Sequence, residues 1–324
     1  MSARYRLRAL SAALAASLFS LGIPSGAFAA TTAPLASAPP APSAPPAPPA
    51  APAAPGEKAA ESSRVSLEGV AIIGASLTAG FFTTVRAEVN GSTLALPVSL
   101  AHVIEQLPKE PITPAYASGN LMFFTDPLRL GRRMATTSKS KDPTLVVAID
   151  FLFWYGYGDL GGAPEAARLT RLEEGLALLD AFTCPIVVGD FPNMSESVGK
   201  MLAPAQMPAL ETLDALNLRL REWAVQRPRV VLFPLAQMVT VLRGNAPITI
   251  GRTTWTDTSK RLLQVDRLHP TTEGMIAVVQ RLAELLRTLD SSLPEDAFVM
   301  DPEALLARVT AAAAARATTN AGSR

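Results

Sequence analysis

Three residues of this 324-residue chain have the types and placement to do chemistry together: Ser76, Asp266 and His269. Ser76 stands in Val-Ala-Ile-Ile-Gly-Ala-Ser-Leu-Thr-Ala-Gly, residues 70–80, where an apolar β-branched run stops at Gly74 and small residues carry the chain onward. A buried strand that ends at a glycine and turns sharply can hold a hydroxyl above a sheet edge, where ligands of open α/β sheets collect. A strand followed by an ordinary tight turn is the other reading. The spacing is not the Gly-x-Ser-x-Gly elbow, because Thr78 takes the place of the second glycine. There are two histidines, so the search for a base is short. His102 falls beside the apolar face of a helix and reads as a surface or partly packed residue. His269 stands in Val-Asp-Arg-Leu-His-Pro-Thr-Thr-Glu-Gly, residues 265–274, just before the last amphipathic segment. Pro270 keeps that helix from reaching back to His269, Thr271 or Thr272 can cap it, and Glu273 suits its first turn. Asp266 and His269 therefore share a loop. There a carboxylate can reach one imidazole nitrogen while the other points at a serine, the arrangement that activates a weak nucleophile. A capping loop whose Asp and His are merely solvated is the alternative.

The elements that must position these residues alternate along the chain. Strand-like apolar runs fall at Val65 to Ile73, Thr144 to Ile149, Pro185 to Gly189 and Val230 to Phe233, with a weaker one near Ile112 to Ala117. Helical faces fill the gaps: Leu100, Val103, Ile104 and Leu107; Leu172, Leu176, Leu179 and Phe182; Leu210, Leu213, Leu220 and Trp223; Met275, Val278, Val279, Leu282 and Leu286. Unbroken apolar strands alternating with amphipathic helices predict a parallel sheet covered on both faces, and right-handed crossovers make it a doubly wound sandwich of about five strands. There is no internal repeat. Beyond about Leu293, Pro302 to Ala315 reads as a helical piece that either packs as an extra helix or stays mobile.

Composition bounds the rest. Arg4, Arg6 and Arg8 precede an apolar segment, Ala9 to Leu21, and Ala27-Phe28-Ala29 offers small residues for cleavage, the layout of a secretory signal peptide over residues 1–29. The apolar core is short for an uncleaved membrane anchor. Residues 30–62 are almost all alanine and proline and read as an extended tether, with cell-envelope association as one use. The folded domain is expected over 63–290, with a tail over 291–324. Losing residues 1–29 removes three of the 29 Lys+Arg and none of the 28 Asp+Glu, which leaves a nearly neutral chain with no basic stripe; nucleic acid is not expected as a partner. A lone Cys184 excludes an internal disulfide and reads as a buried, inert thiol.

Gly74-Ala75-Ser76-Leu77-Thr78-Ala79-Gly80 near the start of such a domain, with Asp266-Arg267-Leu268-His269-Pro270 before its final helix, resembles the SGNH (GDSL-type) hydrolase family over roughly Ser63 to Asp290. The resemblance implies a flavodoxin-like three-layer α/β/α sandwich, an esterase or lipase type of activity, and no metal or other cofactor. It also implies a triad with Ser76 as nucleophile, His269 as base and then acid, and Asp266 orienting the imidazole. Two positions depart from the family. Ala75 replaces the aspartate before the serine, and Asp150 stands where an asparagine amide would donate to the oxyanion. An ionised carboxylate there would repel the developing charge, and loss of one such donor costs roughly a hundredfold to a thousandfold in rate. Three resolutions are open: a protonated Asp150 that donates, a different role for Asp150, or an oxyanion hole made by the Ser76 and Gly119 N–H groups and the Asn120 amide. Ser118-Gly119-Asn120 looks like the family's second block, and it can also be a plain turn.

Aromatic residues gather after the three blocks, with Phe81, Phe123, Phe151 and Trp154 as candidates to line a substrate cleft or to pack under loops. The substrate is expected to be a small-molecule, glycan or lipid ester. Leu160-Gly161-Gly162 reads as a loop or the hinge of a lid, and Asp190 as a cap, a turn former or a substrate contact. Ala75 and Asp150 also motivate a second class of function, an exported binding protein on the same scaffold with its esterase activity lost.

Overall fold

The computed structural model describes residues 65–160 and 164–322. The signal peptide, the tether and Gly161-Gly162 lie outside the described residues. In chain order the elements are β1 Val70–Gly74, α1 Ser76–Ala79, β2 Thr84–Val89, β3 Ser92–Pro97, α2 Leu100–Gln106, β4 Tyr116–Gly119, α3 Pro127–Lys139, β5 Leu145–Ala148, α4 Phe153–Gly156, α5 Pro164–Asp180 and β6 Ile186–Gly189. They continue with α6 Leu210–Val225, β7 Val230–Phe233, α7 Leu235–Arg243, β8 Ile248–Ile250, β9 Thr253–Trp255, α8 Thr258–Arg261, α9 Thr272–Leu289 and α10 Pro302–Gly322.

Five strands form one parallel sheet in the order β4-β1-β5-β6-β7. The runs without polar residues are the central strands: β1, β5 and β6 are buried at every position, because helices cover both faces. Alternate residues feed two cores. Val70, Ile72, Leu145, Val147 and Val187 face α2, α9 and α10, while Ala71, Ile73, Val146, Ala148 and Val188 face α3, α5 and α6. This is an α/β fold of the flavodoxin-like sandwich type. Its strand order reverses between β1 and β5, and in such sheets the crevice at the carboxyl ends of those two strands is where ligands bind. Ser76 follows β1 and Asp150 follows β5.

Several elements differ from the expectation. The first strand covers Val70–Gly74 rather than Val65 to Ile73, because Gly69 adopts φ +84° and breaks the run. The second begins at Tyr116, past Pro111 and Pro114, which cannot donate to a ladder. β2 and β3 form a hairpin that the expectation lacks, turning on Asn90 and Gly91, both with positive φ. The C-terminal helix extends to Gly322 and buries Leu305, Val309 and Ala313 in the core shared with β2 and α9, so it packs as an extra helix on the domain. The Val65 N–H donates to the Asp290 carboxylate at 2.8 Å, which ties the segment before β1 to the end of α9. His102 caps α2: its N–H donates to Ser99 Oγ and its Nδ1 accepts the Ser99 N–H, while burial and then Arg316 hold its imidazole below the usual range.

Candidate active site

The turn that carries Ser76 is set by what lies beneath it. β1 ends at Gly74, where a Cβ would fall 2.0 Å from Asp150 Oδ1 and 2.3 Å from Thr78 Oγ1, so only glycine lets these groups close over the backbone. The chain then enters the four-residue α1 with Ser76 as its first residue and leaves through Gly80 at φ 74°. Asp150 Oδ2 accepts the N–H groups of Leu77 at 2.8 Å and Thr78 at 3.2 Å, and Oδ1 accepts the Thr78 hydroxyl at 2.5 Å. Burial pushes the Asp150 carboxyl above the usual range, against the pull of these donors. Asp150 is thus an acceptor that braces the turn from the neighbouring strand, and the threonine that spoils the hydrolase elbow spacing is its partner. Ala75 is buried and supplies no polar brace of its own.

The loop that carries Asp266 and His269 comes from the other end of the chain. Thr271 caps α9, its hydroxyl accepting the Gly274 N–H, which leaves residues 262–270 free to fold back. Asp266 Oδ1 accepts the N–H groups of Leu268 at 2.9 Å and His269 at 3.0 Å, and Oδ2 lies 2.7 Å from His269 Nδ1. His269 Nε2 lies 2.8 Å from Ser76 Oγ, 193 residues away in sequence. The imidazole is 4% exposed, with the Phe81 ring 4.2 Å from it, centroid to centroid, at 30°. Burial raises the Asp266 carboxyl, but the imidazole and the two backbone donors outweigh it, so its pKa is lowered.

Residues that the sequence did not single out hold the two segments together. Gln264 Nε2 donates to the carbonyls of Phe81 and Pro270, both at 2.7 Å, which ties the serine segment to the histidine segment. Arg267 adopts φ 61° and is anchored by Glu196, by the Ser259 carbonyl at 3.0 Å and by Ser259 Oγ at 2.7 Å. Glu196 also lies 3.1 Å from Arg243 Nε. Gln264 and Arg267 flank Asp266 in the motif loop and could have been flagged on that ground; Glu196 and Arg243 carry no sequence signal, because only folding brings them near.

The other candidates separate in space. Phe81 is at the site. Phe123 and Phe151 are fully buried and Trp154 nearly so, in the core under α3 and α5, with Phe123 edge-on to Phe151 at 5.7 Å. They do not line the cavity beside Ser76, since the aromatic segment after β5 turns inward; Phe153 lines it instead. Gly119 packs against α1, where a Cβ would lie 2.2 Å from the Ala79 nitrogen, and this close approach accounts for the glycine. Asn120 donates its N–H to the Gly74 carbonyl at 3.1 Å, and its Oδ1 accepts the Met122 N–H at 2.8 Å. Asp190 accepts the Ala236 N–H at 2.7 Å in the first turn of α7, a capping contact. Cys184 is half-buried, and burial raises its thiol pKa.

A narrow cavity of about 70 Å³ opens on Ser76 and His269 and runs between α7 and α9. Among the described residues no group of three or more His, Cys, Asp or Glu side chains could hold a metal ion.

Fold and side chains together define an α/β protein carrying a serine–histidine–aspartate constellation at the switch point of its sheet. No family model matches the chain, and no curated protein matches it. Among solved structures, a gut microbial diltiazem-metabolizing enzyme matches at 16% identity and a TM-score of 0.42, over 70% of this chain and 48% of that one. The chain therefore spans about half of that enzyme's length.

Proposed function

We propose that this protein is a serine esterase of the SGNH type that hydrolyses carboxylic esters through an acyl-enzyme. The observation that carries the proposal is the continuous path Ser76 Oγ–His269 Nε2–His269 Nδ1–Asp266 Oδ2, with steps of 2.8 Å and 2.7 Å on either side of the imidazole. Serine is a weak nucleophile until a neighbouring base takes its proton in the transition state. Ser76 Oγ forms the bond to the ester carbonyl carbon as its proton passes to Nε2, and the carbonyl electron pair moves onto oxygen. The imidazolium then gives that proton to the departing alkoxide, leaving the acyl group on Ser76. Water repeats the sequence, with its proton taken by Nε2, and releases the carboxylic acid. Asp266 stays ionised throughout, fixing the tautomer and stabilising the imidazolium. The oxyanion is assigned to the Ser76 N–H, at the first position of α1, together with the Gly119 N–H and the Asn120 amide. The Asn120 oxygen is already committed to Met122, so its NH₂ end is the one left to donate. We assign residues 1–29 to export and residues 30–62 to a tether on the same footing.

Asp150 lies on the cavity wall with Ser76 and is the observation that favours a second function, ligand binding without turnover. Assay of the purified protein on nitrophenyl esters beside Ser76→Ala separates the two. The esterase proposal expects turnover that the variant loses by at least about a thousandfold; equal rates in both proteins overturn it.

A further inference from the structure

The cavity beside Ser76 has an unusual wall. Of the residues that form it, only Ser76, Asp150 and His269 carry polar side chains. Ser76 and His269 are hydrogen-bonded to each other, and both Asp150 oxygens are taken by the nucleophile turn. Apart from the Phe153 ring, the rest is aliphatic or thioether surface, most of it from three parts of the fold: Met238 and Leu242 of α7, Leu262 and Leu263 of the loop that carries His269, and Ala277 and Val278 of α9. All six are buried, at 1–6% exposure. From its mouth at Ser76 the cavity therefore runs inward between buried side chains.

Two physical consequences follow. Protein interiors are close-packed, and an unfilled apolar volume forfeits contacts and stability, so such a space beside a nucleophile is retained only where something else fills it. An occupant with hydroxyl or charged groups would lose its hydrogen bonds to water and find no replacement on these walls. That excludes a sugar ring from the cavity. An unbranched methylene chain needs no hydrogen bonds and makes contact along its whole length.

Resting on the esterase reading of Ser76, we propose that the cavity is an acyl slot and that the substrate's acid part is a straight aliphatic chain longer than acetyl. The chain runs from the substrate's carbonyl carbon, bonded to Ser76 Oγ, between α7 and α9, and the alcohol part stays outside, near Phe81 and the exposed Phe82. Val278 and Leu242 set how much chain is accommodated. Each methylene buried in the transition state multiplies kcat/KM by up to about fourfold until the slot is full.

The test uses the purified protein and the nitrophenyl esters of acetate, butyrate, hexanoate and octanoate. The readout is the hexanoate-to-acetate ratio of kcat/KM, which does not depend on the fraction of active protein. The slot predicts a ratio of at least about ten in the wild type. Val278→Phe, which puts a ring in the slot, lowers the ratio about tenfold, and Leu242→Ala, which lengthens the slot, moves the optimum toward octanoate. A protein that reacts with a fluorophosphonate but prefers acetate, with a ratio untouched by both substitutions, overturns the slot and leaves the esterase reading standing. Titration of Ser76→Ala with octanoate, followed by calorimetry, reads the slot without turnover. Saturable octanoate binding that Val278→Phe weakens at least about tenfold supports the slot even if the protein hydrolyses nothing; absence of binding together with absence of a chain-length preference overturns it.

Discussion

Glu196 and Arg267 are joined by two contacts, from Arg267 Nε at 2.8 Å and Nη2 at 2.6 Å to the same carboxylate oxygen, and Arg267 is the residue that follows Asp266 in the base loop. With φ 61° a side chain of this size is strained, a conformation that costs on the order of 1–3 kcal/mol and persists only where the surroundings hold it. The guanidinium anchor supplies that hold, and the bend it maintains lets Asp266 and His269 face each other. Glu196→Ala is expected to lower kcat about tenfold with KM changed less than twofold, and Glu196→Gln to recover part of the loss. Steady-state kinetics on one nitrophenyl ester check this; a rise in KM with unchanged kcat would show that Glu196 acts on binding instead.

Asp150 braces the nucleophile turn, so its removal leaves the N–H groups of Leu77 and Thr78 without their acceptor in a buried setting. Each such group costs about 1–3 kcal/mol. Asp150→Ala is expected to lose about 2–4 kcal/mol and to lower Tm by roughly 5–10 °C, measured by calorimetry. A Tm within 1–2 °C, on the order of no effect, would mean the carboxylate does not hold the turn.

Asn120→Ala removes the side-chain donor assigned to the oxyanion. Turnover is expected to fall about a hundredfold while KM stays nearly constant, because the interaction forms only as charge develops on oxygen. Unchanged turnover takes Asn120 out of the mechanism and leaves the backbone N–H groups as the only donors.

Asp266 titrates below the ordinary carboxylate range in the folded state. Its contribution to stability is therefore present above the unfolded-state value of about 3.9 and is lost as pH falls through the lower folded value. The Tm difference between the wild type and Asp266→Asn should be level at neutral pH and narrow once the pH falls below about 4. A difference that widens on acidification contradicts the assignment.

How far the sequence could be read depended on how local the cause was. The three central strands declare themselves as apolar runs because both their faces are covered, whereas the hairpin went unread, although Asn90-Gly91 between the alternating Val85, Ala87, Val89 and Leu94, Leu96 is a strong short-range signal. The long first strand was overread because its break rests on Gly69 alone. Motif order placed Ser76, Asp266 and His269, since each sits at an element end that its neighbours specify. The roles of Asp150 and Asn120 were not legible, because a carboxylate 73 residues from its partner shows its purpose only once β1 and β5 lie side by side. The aromatic cluster shows the same limit. Phe151 and Phe153 are two residues apart, yet the turn between them sends one into the core and the other to the cavity.

The most direct measurement is intact-mass and peptide mapping of the protein after exposure to a fluorophosphonate. A serine activated by His269 takes one phosphonate per chain, located on Ser76, formed at a rate that falls at least about a thousandfold in His269→Ala while that variant remains folded. A Ser76 that stays unmodified in the folded wild type, or that reacts equally fast without His269, would contradict it.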